Sequence, residues 1–141
     1  MSEWCRMLHS LNAERARRVR DQVLAKAAEP GRAVAVVVVD RTGVILVREF
    51  SDQATPESSD ASTLKARGAC RYQIATDITA EFVKTLPPPP AHHARSLSEA
   101  CALQGGVPIP VAGEVVGSVL VSGGSAEQDI ALAQTGAAGV Q

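Results

Sequence analysis

The chain has 141 residues, a formal charge of −1 and 45% hydrophobic residues. That is the length of one domain with material for one continuous core, so a single domain over residues 1–141 is expected. The near-zero charge excludes a global field that would gather nucleic acid or an anionic membrane surface. Four aromatics, Trp4, Phe50, Tyr72 and Phe82, are too few for a base-stacking platform.

Cys5, Cys70 and Cys101 are widely spaced and odd in number, which gives neither a disulfide framework nor a zinc or redox CxxC pattern. No apolar run reaches the roughly 20 residues that span a bilayer. Residues 1–10 lack the apolar core of a signal peptide. A cytoplasmic protein is expected.

Residues 11–29 read as an amphipathic helix, with Ala16, Val19, Val23 and Ala27 at helical spacing and Pro30-Gly31 as its stop. Arg15, Arg17, Arg18 and Arg20 cluster on it. They read as a solvated face, with a phosphate patch as the alternative. Residues 33–39 form a β-branched run suited to a strand buried on both faces. Asp40-Arg41-Thr42-Gly43 turns the chain, and residues 44–50 return as the second strand of a hairpin.

Thr55-Pro56-Glu57 opens a helix: a capping hydroxyl, a proline at the first helical position and an acid at the positive end. Ala61, Leu64, Gly68, Tyr72 and Ala75 share one face of it. A shorter helix follows over 77–86, then the stiff run Pro87 to Pro90. Residues 91–104 read as either a short helix or a loop over a pocket. Strands follow over 107–111 and 114–122. Ser125 and Gln128 then form a capping box for a last helix with Ala126, Ile130, Ala133, Ala137 and Val140 inward. The fold class is α+β, a mostly antiparallel sheet covered by helices.

Four pieces in this order resemble the GlcG/HbpS-like family, which includes the C-terminal domain of PduO-type proteins. They are Val36 to Val39 with Asp40-Arg41-Thr42-Gly43; Ala54-Thr55-Pro56 with Ser59 to Lys65-Ala66; Gly105-Gly106-Val107-Pro108-Ile109; and Gly113-Glu114-Val115-Val116-Gly117 running into Val121 to Asp129. The resemblance covers about residues 12–139. It implies a small profilin-like domain that forms homo-oligomers, and a small organic ligand with haem as the first candidate. The sequence itself does not require haem. Haem-binding members with threonine ligation carry Lys-Ala-x-Thr-Ala. This chain has Lys65-Ala66-Arg67-Gly68-Ala69, and glycine cannot ligate iron.

Lys65 is a candidate partner for a ligand carboxylate or a proton carrier, set against a lysine reaching to solvent. Glu127 is a candidate general acid or base, set against a residue that favours the helix dipole. Gly123, Gly124 and Ser125 could aim backbone N–H groups at an anion, or simply make a tight turn. Gly68 and Gly106 allow close approach of a ligand or of another backbone. His9, His92 and His93 form no HxH or HExxH pattern, so no metal site is expected, although one histidine suffices as an axial haem ligand. The readings are a ligand-binding module, a cofactor-free isomerase, cyclase or lyase acting on a carboxylated or enolisable substrate through Lys65 or Glu127, and a structural subunit. No nucleic acid or membrane partner is expected.

Overall fold

The structure is a computed structural model and describes residues 4–56, 69, 73, 85 and 105–140. Among these run α1 (Ala13–Ala28), β1 (Ala35–Asp40), β2 (Ile45–Phe50), β3 (Gly106–Val111), β4 (Glu114–Ser122) and α2 (Ala126–Ala138). The strands make one antiparallel sheet in the order β2-β1-β4-β3. The class is α+β.

The valine run makes β1 a central strand, with Ala35 through Val39 fully buried. Alternation divides its side chains between the two sheet faces. Val36 and Val38 join Val119, Val121, Val107 and Ile109 beneath α1 and α2, which supply Val19, Val23, Ile130 and Ala133. Val37, Val39 and Leu120 belong to the other face, with Ile45 packed against them. β3 carries Pro108 and Pro110 and lies at the end of the described sheet, where a missing N–H costs no ladder bond.

α1 begins two residues later than its apolar spacing predicts. The Leu11 N–H donates to the Val116 carbonyl at 2.8 Å, which holds Leu11 to β4 as extended chain. Asn12 then caps the helix by accepting from the Arg15 N–H at 2.9 Å. Part of the arginine cluster is spent on the protein itself: Arg20 pairs with Asp21 at 2.8 Å and Glu49 at 3.2 Å, and Arg18 with Glu14 at 3.6 Å.

Pro56 is helical, as the Thr55-Pro56 opening predicts, and Ala69 is helical and fully buried. Gln73 is a bend with φ of 58°. Gln73 falls within the span read as helical through Ala75 and is itself not helical. The rest of that helix, the shorter helix, the proline run and residues 91–104 lie outside the described residues.

Candidate functional site

The β4–α2 turn is built around its own hydrogen bonds. Gly123 has φ of 137°, and a Cβ there would collide with the Ala33 carbonyl, so glycine is required. The Gly124 N–H donates to Asp129 Oδ1 at 2.9 Å, and the Ser125 N–H to Gln128 Oε1 at 3.0 Å. Ser125 Oγ accepts from the Gln128 N–H at 3.3 Å, completing the capping box. The backbone donors offered to an anion at Gly124 and Ser125 are thus held by the chain's own side chains. Asp129 is buried, so its part in the turn is capping. Glu127 is exposed and makes no hydrogen bond or ion pair among the described residues.

Gly106 pairs with Leu120, and directly opposed residues share a face. It therefore belongs to the face of Val37 and Leu120, whereas Glu127 is carried by the helix on the other face. The structure does not bring these two together. Lys65, Gly68, His92 and His93 lie outside the described residues.

A cluster that spacing does not reveal forms where the N-terminal segment crosses the sheet end. Asp40 pairs with Gly117 across β1 and β4, which sets Arg41 beside the start of β4. Arg41 Nη1 donates to Glu114 Oε2 and to the His9 carbonyl, both at 3.3 Å. Its backbone N–H donates to Ser10 Oγ at 3.3 Å. His9 Nδ1 lies 3.2 Å from the same Glu114 oxygen. The Asp40 carboxylate locks the turn that presents Arg41, accepting from the Thr42 N–H at 2.8 Å, the Thr42 hydroxyl at 2.7 Å and the Val44 N–H at 3.0 Å. Burial pushes the Asp40 carboxyl up, but these bonds outweigh it and hold it below its ordinary value.

The hydrogen bond from the His9 side chain is the largest effect on the Glu114 carboxyl; burial opposes it, and the charges of His9 and Arg41 add to it, so the carboxyl is held below its ordinary value. Glu114 is therefore a carboxylate at neutral pH and can only accept. An imidazole facing that carboxylate donates from Nδ1, and in its neutral form such a tautomer carries its lone pair on Nε2. A carboxylate behind a histidine is the arrangement that orients and strengthens a metal-binding imidazole. Beside it opens a cavity of about 330 Å³, with Leu11, Val111, Val116 and Val140 in its walls and His9 and Arg15 among its polar lining residues. Arg15 makes no ion pair among the described residues. His9, Arg41 and Glu114 stand 32 and 73 positions apart, joined by strand register and by the bond of Leu11 to Val116.

The family model for haem-degrading protein HbpS-like matches residues 11–138. The chain belongs to the HbpS-like family. It is 34% identical over 123 residues to an uncharacterized 15.0 kDa protein from the dhaT-dhaS intergenic region of Citrobacter freundii, covering 85% of this chain and 84% of the relative. The crystal structure of a double mutant of HbpS from Streptomyces reticuli superposes with a TM-score of 0.86 at 27% identity, covering 100% of this chain and 94% of that one. The crystal structure of the PduOC–haem complex superposes with a TM-score of 0.82 at 25% identity, covering 94% and 96%. The HbpS-like fold is thus the α+β arrangement described above. No helix among the described residues is long and apolar enough to cross a membrane.

Proposed function

We propose that this HbpS-like chain is a small-organic-ligand-binding protein, that its first ligand is haem, and that His9 is the axial ligand. The observation that carries the proposal is His9 itself, which lines a cavity with apolar walls and whose Nδ1 lies 3.2 Å from Glu114 Oε2. The haem complex of a structural relative supports the ligand class.

Bound there, haem would supply an iron centre whose properties depend on its axial ligand and surroundings. Glu114 holds the imidazole in one tautomer, and Arg41 balances the charge of Glu114. Arg15, which lines the same cavity, is available to a ligand carboxylate. A ligand through His9 would stand in for the missing threonine at Gly68. Lys65 and Gly68 have no assigned part in this reading, and the 123–125 turn serves the fold.

The protein is further proposed to act as a cytoplasmic homo-oligomer. Supporting association, Trp4 is 92% exposed and Met7 77%, leaving apolar surface on the N-terminal segment to be covered.

A thermal melt with hemin tests the ligand class. A ligand at about 100 times its Kd stabilises by roughly 2.7 kcal/mol. For a domain of this size that raises Tm by roughly 5–10 °C. No rise at any hemin concentration would remove haem as the ligand.

A further inference from the structure

A second cavity, of about 460 Å³, lies at the other end of α1, between that end and α2. Its walls include Lys26, Glu29 and Arg32 from the end of α1 and the turn after it, and Gln128, Leu132 and Thr135 from α2. The polar groups here are unequally satisfied. The Glu29 carboxylate is taken by Lys26 Nζ at 2.8 Å. Thr135 Oγ1 donates to the Ala131 carbonyl at 3.0 Å. Gln128 turns its Oε1 to the Ser125 N–H at 3.0 Å. That donor requires an oxygen, which fixes the orientation of the carboxamide and leaves the Gln128 NH₂ with no acceptor among the described residues.

Arg32 is the decisive residue. Its backbone N–H donates to the Ala27 carbonyl at 3.0 Å, which anchors the base of the side chain. The residue is half-buried, yet its guanidinium makes no hydrogen bond or ion pair among the described residues. An arginine cannot shed its charge, and its planar fork matches a carboxylate. Among the described residues the cavity therefore offers one unpaired positive charge, one free NH₂ and the apolar wall of Leu132.

We propose that this cavity binds a small monocarboxylate with a short apolar chain. The carboxylate pairs with Arg32 and accepts from the Gln128 NH₂, and the chain lies against Leu132. One uncompensated cation calls for one anionic charge, so a phosphate dianion is the poorer match. The site is separate from the His9 cavity and does not depend on haem.

The test is an NMR titration of the ¹⁵N-labelled full chain with hexanoate, followed at the Gln128 side-chain NH₂ and the Arg32 Nε–H. Saturable shifts at both signals are expected. Arg32→Met keeps the apolar stem and loses the fork, and should weaken binding about tenfold or more. Glu29→Gln frees Lys26 and should tighten binding, a gain that damaged folding could not imitate. Hexanol, with the same chain and no charge, should not saturate. The proposal is overturned by absent shifts at Arg32 and Gln128, by undiminished affinity in Arg32→Met, or by inorganic phosphate binding as tightly as hexanoate.

Discussion

Gly136 lies where α2 crosses α1, and replacing it with alanine sets two opposing effects against each other. Alanine is the better helix former, by about 1 kcal/mol. An added Cβ, however, would stand 2.5 Å from Val23 Cγ2, 3.1 Å from Val19 Cγ1 and 3.1 Å from the Val19 carbonyl oxygen. Val19 and Val23 are fully buried in the main core, and β-branched side chains in a helix have essentially one rotamer. Neither can swing aside, so α2 must move away from α1. Overpacking of this kind costs roughly 1–3 kcal/mol, and more where a backbone atom is also in the way. With the Val19 carbonyl oxygen among the obstructing atoms the upper part of that range applies, roughly 2–3 kcal/mol, so the net effect is a destabilisation of about 1–2 kcal/mol and a fall in Tm of roughly 2–8 °C. Calorimetry of Gly136→Ala against the parent measures it. The same substitution in a Val23→Ala background should cost less, since the obstructing methyl is gone. A Gly136→Ala protein as stable as the parent, or more stable, would refute the close-packed helix crossing.

Other outcomes follow from the turns and the charged corner. Ser125→Ala removes one arm of the capping box and should cost about 1 kcal/mol by urea denaturation; an unchanged midpoint would contradict the cap. Asp129→Ala strands the Gly124 N–H and should cost about 1–3 kcal/mol in the same assay, whereas Glu127→Ala, at an exposed position, should change stability by less than about 0.5 kcal/mol. Asp40 and Glu114 both have folded-state values below their ordinary ones. The unfolded chain therefore takes up protons first on acidification, so their contribution is present above the ordinary carboxylate range and lost as pH falls through the depressed values. Tm measured from neutral to strongly acidic pH should drop along that limb, and the drop should be shallower in Asp40→Asn.

Much of the described fold is legible in the sequence because the responsible interactions are local. Ser125 and Gln128 mark the start of α2 three residues apart, and the Ser125 cap forms as read. The run of valines predicts a strand buried on both faces, and β1 is central because its alternating side chains serve two apolar layers. The start of α1 is misread because Leu11 bonds to Val116, a residue far along the chain. The candidate site is harder to read for the same reason. Arg41 and Glu114 meet through the pairing of β1 with β4, His9 reaches them because Leu11 bonds to Val116, and no short motif encodes either contact. A glycine turn before a helix suggests free N–H groups. Whether they are free depends on which way Asp129 and Gln128 turn, and here both turn back.

The most direct test of the central claim is a hemin titration followed at the Soret band, on the parent chain and on His9→Ala, His92→Ala and His93→Ala. The account predicts a saturable shift in the parent, retained in the His92 and His93 variants and lost in His9→Ala. Absence of any saturable shift, or a shift that survives His9→Ala unchanged, would contradict it.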